Sequence, residues 1–555
     1  MGAHANGTNL WIQRWLNVLG AVILVLFLFV DPAQSFKFDT GNPDMQASWD
    51  NTIKFSTAYR LGNKSDALTG DINQDDGDRA FNPGFISSRF DLLSEFDLKY
   101  KNYGIRLSGA GWYDPVYYHA NNDNNSASTA NAYSVPHNEF TRDSRRLMGL
   151  DAELLDAFAY GSTNIDSSKV SFRVGQFAQL WGESMFFGNN GIANGMAPID
   201  VIKAMAVPNS QFKEIIRPVP QVGGQWQISS QLSLGAYYQF GWKKDRLPAV
   251  DSYFGNLDFF GEGGERLFVG PPLIPGGGPQ AFYRGTDIEG NDQGQGGFQV
   301  RFRCGEYDFG FYAIRYHEKT PQIYFYPGVD VNPATGQIGK YALVYPEGIQ
   351  SYGASASTTF GIVNLAGEVS YRYHTPLVSD AATVSPGQQA DNSGHPLYAV
   401  GNSLHAQVST LTSFGPSFIS NEATLLGEIA WNYRLEVIDN PGMLDPNTTR
   451  NGLGIRLVYE PTYRQVISGL DISIPIGGSF FPLGTSSVVP NFGPDKGGDF
   501  NLGIKGTYLD VWRLALIGNF FYGSEGTFLD KNNHFSFAQS YSDRNYVSLS
   551  LTRTF

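Results

Sequence analysis

The last stretch of the chain, Asn545 to Phe555, reads NYVSLSLTRTF. Val547, Leu549, Leu551 and Phe555 share one parity, while Ser548, Ser550, Thr552 and Thr554 share the other. Strict alternation predicts a strand with one apolar and one polar face. In a closed barrel such a strand pairs with the first strand and leaves no edge, whereas in a soluble sandwich it is an edge strand. The rest of the chain repeats the pattern. Ile53, Phe55 and Tyr59 oppose Lys54, Ser56 and Arg60, and Phe90, Leu92, Phe96, Leu98 and Tyr100 oppose Arg89, Asp91, Glu95, Asp97 and Lys99. A face so charged beside one so apolar fits a wall between lipid and water.

Extended along the chain, the alternation predicts about 18 strands, with 16 possible. They fall near 49–61, 87–100, 105–113, 146–160, 169–180, 221–229, 231–242, 294–304 and 306–316. The remainder fall near 350–360, 363–373, 402–412, 422–435, 451–461, 465–476, 498–508, 511–522 and 542–555. Long gaps such as 62–85, 114–145, 181–220 and 243–293 alternate with short ones near 102, 161–168, 230, 305 and 462–464. Short turns at one end and long loops at the other are the mark of an outer-membrane barrel, and a sandwich has no reason to sort its loops by length. Aromatic residues at strand ends, among them Tyr113, Trp242, Tyr373, Tyr433, Trp512 and Tyr522, suit girdles at the headgroup level. Ordinary strand propensity is the competing explanation. The expected fold is an all-β, transmembrane antiparallel β-barrel.

Composition narrows the class. The chain has 555 residues, 14% aromatic and only 16% charged, with 64 Gly, and no linker or composition shift divides it. A net charge of −13 excludes nucleic acid as a partner, since that needs a basic face. The single cysteine, Cys304, excludes an intrachain disulfide and a cysteine metal cluster. Arg14, the apolar run Leu16 to Val30 and Ala33-Gln34-Ser35 read as a secretory signal peptide over 1–35, leaving 36–555 as the barrel. A membrane anchor helix is the competing reading of that run.

The 181–220 gap differs from the other loops. Pro198 can start a helix through Ala206, and Asn209 can cap a second through Arg217, where Pro218 and Pro220 stop it. Ile199, Ile202, Met205, Phe212 and Ile215 need cover, so the segment is expected to fold toward the lumen as a constriction; the alternative is a capped helical loop over the rim. In the constriction, Trp181, Phe186, Phe187 and Met196 would supply an apolar contact surface. Glu183, Asp200, Lys203, Glu214 and Arg217 would hold the hatch in place.

This run also carries a resemblance. Arg173-Val174-Gly175, Trp181-Gly182-Glu183-Ser184, Asn194, Pro198-Ile199-Asp200, Val207-Pro208, Glu214 and Pro218-Val219-Pro220 resemble the signature of the proteobacterial outer-membrane family known as domain of unknown function 1302 (DUF1302). FDTGNPDMQASWDNTIKFSTAYR (38–60) is similar to that family's opening. The resemblance spans nearly the whole chain after the signal, with its specific motifs in 36–60 and 173–220. Gln176 stands where a basic residue often follows Arg-Val-Gly, and Arg553 stands where an aromatic is common before the final Phe. The resemblance implies an outer-membrane barrel of a Gram-negative bacterium linked with export or uptake of lipid-like or other hydrophobic compounds.

Charges sorted by parity give thirteen bases against eight acids on the polar face. The bases are Lys54, Arg60, Arg89, Lys99, Arg106, Arg173, Arg301, Arg303, Arg372, Arg434, Arg456, Lys505 and Arg513; the acids are Asp91, Glu95, Asp97, Asp308, Glu368, Glu428, Glu460 and Asp471. A basic lumen wall would favour carboxylate-bearing solutes by focusing the field. Cross-strand pairing of Arg with Asp and Glu is the structural alternative. The loop DINQDDGDRAFN (71–82) departs from an EF-hand at its glycine and at Asn82, which excludes that motif; a weak surface calcium site through Asp71, Asn73 and Asp75 is the minor alternative to no cofactor. No other cofactor is expected, and neither a GxSxG nor an HExxH motif occurs.

These readings converge on a non-enzymatic outer-membrane channel for passive passage of small hydrophobic or amphipathic, carboxylate-bearing solutes, gated by long outer loops. Its expected partners are outer-membrane lipids, the barrel-insertion machinery, a small-molecule solute and an inner-membrane transporter. Two other classes fit the same pattern. One is a surface adhesin or outer-membrane partner of an export system; the other is a lipid-active enzyme, which would need an activated Ser near His at a strand end.

Overall fold

A computed structural model describes residues 36–123 and 129–555; the signal peptide expected over 1–35 lies outside the described residues. Eighteen strands form one closed antiparallel barrel. In chain order the first nine are β1 (Met45–Arg60), β2 (Gly84–Tyr100), β3 (Tyr103–Tyr113), β4 (Leu150–Ile165), β5 (Ser168–Phe177), β6 (Val219–Gln227), β7 (Leu232–Gln239), β8 (Gln295–Cys304) and β9 (Tyr307–Tyr316). The others are β10 (Ile349–Phe360), β11 (Val363–Pro376), β12 (Val400–Phe414), β13 (Glu422–Asp439), β14 (Asn451–Ile467), β15 (Leu470–Ser473 and Ile476–Leu483), β16 (Gly498–Tyr508), β17 (Trp512–Tyr522) and β18 (Tyr546–Thr554). Each pairs with its sequence neighbours, and β1 pairs with β18, Lys54 opposite Thr552 and Phe55 opposite Leu551. Asn51 N donates to Phe555 O at 2.8 Å and Phe555 N to Asn51 O at 2.9 Å. Closure removes both edges.

The predicted parity governs which side chains face outward. On β17, Leu514 and Leu516 stay about half exposed, while Ala515 between them is buried. Phe298, Phe311, Val369, Val408 and Ile429 are likewise exposed, whereas Glu368, Gln407, Glu428 and Asn432 are buried inside. An apolar exterior around a polar interior suits acyl chains outside and water or protein within. Short turns gather at one end, and the nine connections at the other end are long.

Several boundaries shift for local reasons. The turn expected at 462–464 lies at 468–469, where Gly469 adopts φ +80°, and β15 replaces the strand expected at 465–476. Pro475 brings no N–H to the ladder, which splits β15 into two pieces. Residues 146–149, expected in a strand, belong to a helical turn, Arg145–Gly149, before β4. Strand β7 ends at Gln239, so Trp242 is not part of a girdle; it is buried against Tyr345 with ring centroids 4.9 Å apart. At the position that lacks the usual C-terminal aromatic, the Arg553 guanidinium lies 4.9 Å from the Trp512 ring.

The long loops carry structure that strand alternation in the wall did not reveal. Ala382–Thr383, Gln322–Asn332, Gln337–Val344, Gln280–Arg284 and Arg266–Gly270 form a separate five-stranded sheet, in that order, over one mouth of the barrel. Its strands come from three different loops, and the pairs 280–284 with 337–344 and 322–332 with 382–383 run parallel. Two further loops, 61–83 and 523–545, are tied to the barrel by Arg60, fully buried at the end of β1, which pairs with Asp78 at 2.6 Å and Asp543 at 2.8 Å.

Leu516→Arg should lower the stability of the barrel by about 2–4 kcal/mol, since it places a guanidinium on the outer apolar face. Leu516→Ile should leave it within about 0.5 kcal/mol. Denaturant titration of refolding into lipid vesicles measures both.

Candidate solute pathway

The connection 178–218 between β5 and β6 folds into the barrel and bonds to its inner wall. Two buried carboxylates receive it. Glu428 on β13 accepts from Met185 N at 3.1 Å and Phe187 N at 2.9 Å, and also from Phe186 N. Glu368 on β11 accepts from Glu183 N at 2.5 Å and Ile192 N at 2.9 Å. Irregular backbone held away from water needs such partners for its N–H groups. Arg372 donates to the carbonyls of Asn189 (3.0 Å) and Gly191 (2.9 Å). The Asn190 side chain is held by Gln407, Asn432 and His405, at 3.2, 3.2 and 3.0 Å. Gly182, at φ +97°, lies so close to Glu368 that a Cβ would collide with its carboxylate, and a Cβ at Gly195 would strike the Tyr316 ring. Those glycines in WGESMFFGNNGIANGM let the backbone lie against the wall.

The expected helices form in shortened versions. Asp200 caps Val201–Met205, its carboxylate accepting from Lys203 N at 2.9 Å. The expected start at Pro198 fails because 198–200 is extended, with Arg217 N on Pro198 O at 2.9 Å. Phe212–Ile215 begins at Gln211 in a capping box with Glu214, and Asn209 is instead a left-handed turn residue at φ 56°. Arg217 pairs with Glu153 at 2.9 Å, Arg246 bridges Asp200 (2.7 Å) and Glu153 (2.6 Å), and Glu214 lies 3.8 Å from Lys54. Lys203 is buried with its ammonium 5.7 Å from the Trp112 ring. Glu183 faces Arg301 at 3.6 Å.

The four apolar residues divide into two pairs. Trp181 and Met196 pack on the wall with Tyr237, Tyr312 and Tyr316, and Trp181 N donates to Met196 Sδ at 3.1 Å. They anchor the segment and do not border open space. Phe186 and Phe187 do: they line a chamber of about 1270 Å³ between the inward segment and the loop canopy. Its other walls include Phe254, Phe259, Phe268, Phe325, Phe492 and Phe528. Charged groups are fewer there. Burial pulls the Lys319 ammonium down to about 8 and pushes the Asp245 carboxyl up to about 6. Both hold the segment, Lys319 through Gly195 O at 3.0 Å and Asp245 through Ile199 N at 2.7 Å.

Most bases on the wall have acidic neighbours. Arg89 pairs with Asp91 (2.8 Å), Arg303 with Asp308 (2.9 Å), Arg456 with Asp499 (2.9 Å) and Lys505 with Glu460 (2.9 Å). Arg106 reaches Glu95 at 2.6 Å, Asp97 at 3.9 Å and Asp156 at 3.5 Å. Arg434 donates to Ser487 Oγ at 3.1 Å, and Arg173 lies over the Phe158 and Phe177 rings at 5.8 and 5.9 Å. Lys99 is exposed near the short-turn end of β2. This arrangement is the cross-strand ladder more than an open basic track. Gln176, in place of a base, donates to the carbonyls of Leu154 (2.7 Å) and Leu155 (2.6 Å).

Sequence reasoning put Glu368 and Glu428 on the polar face but gave them no part in the site. The available signal was cross-strand register: Glu368 stands opposite Ser355 and Gln407, with no base beside it. Ser403 Oγ, His405 and Asn190 form a hydrogen-bonded chain, 2.9 Å from hydroxyl to imidazole and 3.0 Å from imidazole to amide. All three are buried and none borders the chamber, so this chain tethers the segment. In the loop weighed for calcium, Asp71 and Asn73 make contacts within the protein. Asp71 accepts from Asn73 N (3.0 Å) and Gln74 Nε2 (2.6 Å), and the Asn73 amide pairs with the Phe268 backbone at 2.9 and 2.8 Å.

A closed barrel with an apolar exterior, a lumen crossed by an inward-folded segment and a chamber beneath looped cover defines the class: an 18-stranded transmembrane β-barrel. Within that class, the chain belongs to the family described as Protein of unknown function (DUF1302), which matches residues 16–555. Among solved structures it is similar to OccAB1 of Acinetobacter baumannii, at 11% identity over 95% of this chain and 99% of that one, with a TM-score of 0.40. It is also similar to OccAB4 of the same organism (11%, 93% and 100%, 0.39) and to its outer membrane channel DcaP (9%, 94% and 100%, 0.38). No curated protein matches the chain.

Glu428→Ala removes the acceptor of three backbone N–H groups, each hydrogen bond to a charged group contributing about 1.5–3 kcal/mol. Single-channel conductance in planar bilayers should rise as the segment loosens, and Gly182→Ala should raise it without removing a charge. Unchanged conductance in both variants would show that these contacts do not seat the segment.

Proposed function

We propose that the protein is an outer-membrane channel of a Gram-negative bacterium for passive passage of small hydrophobic or amphipathic solutes. Solutes enter the apolar chamber beneath the loop canopy and leave past the segment 181–220 toward the short-turn end. The observation that carries this reading is the chamber itself. At about 1270 Å³ it exceeds the roughly 300–1,000 Å³ of ordinary small-molecule pockets, and phenylalanine dominates its walls. Water-filled sieves for sugars and ions present charged rings instead. Lys319 and Arg372 stand in the lining beside Asp245, Glu318 and Asp380, so neither the chamber nor the paired bases of the wall adds much preference for an acidic head group. Lipids of the outer membrane and the barrel-insertion machinery are the partners such a channel requires, and an inner-membrane transporter would carry the solute onward.

The test is flux into proteoliposomes of a medium-chain fatty acid against a sugar of similar mass. The acid should pass faster. Phe186→Asp should cut its flux roughly tenfold or more, the equivalent of losing about 1.5–3 kcal/mol of apolar contact, and leave sugar flux nearly unchanged. Deleting 190–215 should enlarge conductance and abolish the discrimination. Equal flux of acid and sugar through the wild type would overturn the apolar reading.

A further inference from the structure

The loops over the barrel hold a second feature, separate from the chamber. One carboxylate oxygen from each of Asp75, Asp76 and Asp258 lies within 4.8 Å of the others. Asp75 and Asp258 are fully buried and Asp76 is 4% exposed. Among the described residues, Arg79 is the one cation in ion-pair contact with them, through Asp75. Three carboxylates against one guanidinium leave two formal negative charges in a site closed to water, a strongly unfavourable arrangement without a counter-ion.

The carboxylates are also positioned for a ligand. Asp258 accepts from Asp75 N through Oδ2 at 2.9 Å and from Asp76 N through Oδ1 at 3.2 Å. Asp76 Oδ2 accepts from Asn131 Nδ2 at 2.7 Å. Asp75 Oδ1 and Asp76 Oδ1, by contrast, are buried with no hydrogen-bond partner among the described residues. Buried carboxylate oxygens are ordinarily paired, so two orphans beside an uncompensated charge point to a cation. A donor set made only of oxygen and rich in carboxylates suits a hard ion, and calcium accepts such flexible coordination more readily than magnesium.

We propose that Asp75, Asp76 and Asp258 bind a calcium ion that joins the 61–83 loop to the 240–294 loop above the barrel. The two loops already meet closely there: a Cβ on Gly77 would lie 2.6 Å from the carbonyl oxygens of Ser252 and Gly255. Asn131 ties in a third loop through Asp76 and the Asp258 carbonyl, the latter at 2.9 Å. Asn73, two residues before Asp75, and Leu257, next to Asp258, line the chamber, so the ion braces the chamber's roof. The assignment does not depend on which solute the chamber takes.

The test uses the full mature chain refolded in detergent micelles free of lipopolysaccharide and stripped of metal by a chelator. Isothermal titration with calcium chloride should show one saturable site per chain, with a dissociation constant on the order of 10⁻⁴ M or tighter, and calcium should protect the loops from trypsin. D76N/D258N should bind at least about tenfold more weakly and lose the protection, while the heat-modifiable gel shift still reports a closed barrel. Should that pair fail to close, D76N alone, which keeps an acceptor for Asn131, carries the same expectation. D380N, at a different acidic site, should bind as the wild type does. Absence of calcium binding in the wild type, undiminished binding in the closed variant, or equal affinity for magnesium would overturn the assignment.

Discussion

A backbone N–H or C=O held away from water must find a partner, and nearly every feature of this molecule answers that requirement. In the wall the answer is the ladder. Eighteen strands bond in sequence until β18 meets β1, and no edge remains facing the acyl chains. In the lumen the answer has to be local, because 178–218 has too little regular structure to satisfy itself. Glu368 and Glu428 supply it, the first accepting two backbone N–H groups and the second three. A carboxylate is suited to this, since two oxygens with about four lone-pair sites can serve one tight turn.

Seating the segment in this way fixes what lies on each side of it. Trp181 and Met196 turn to the wall and lock the segment, which leaves Phe186 and Phe187 facing the space above. That space is closed over by loops, three of which form their own sheet and two others of which, 61–83 and 523–545, are pinned by Arg60 through Asp78 and Asp543. The chamber therefore exists because three separately anchored structures stop short of one another: the barrel wall, the inward segment and the canopy. The lumen on the short-turn side has a different character. Arg301 and Arg303 remain substantially exposed there, so the lining changes along the barrel from phenylalanine to charged side chains.

Much of the barrel was legible in the sequence because period-2 alternation is a local signal, repeated in strand after strand, and because loop length sorts by barrel end. The boundaries that moved did so where one residue overrode the pattern, as Pro475 broke β15 and Gly469 set its turn. The canopy sheet was not legible. Its strands lack the wall's alternation, as in Tyr341 to Val344, all four buried, two of its pairings are parallel and join different loops, and no local rule announces such a pairing. The candidate site was legible in part. Composition singled out 181–220, and its caps and charges were visible, yet the division of Trp181 and Met196 from Phe186 and Phe187 depended on which way each faced.

From the sequence alone follow the class of fold, the approximate strand number, the two faces of each strand and the segment that departs from the pattern, because these rest on spacing along the chain. Only the tertiary structure decided that this segment lies inside the barrel, that Glu368 and Glu428 seat it and that Asp75, Asp76 and Asp258 converge. Those facts rest on groups up to hundreds of residues apart meeting in a space that closure creates. Spacing along a chain determines its faces; what meets across a cylinder depends on how that cylinder closes.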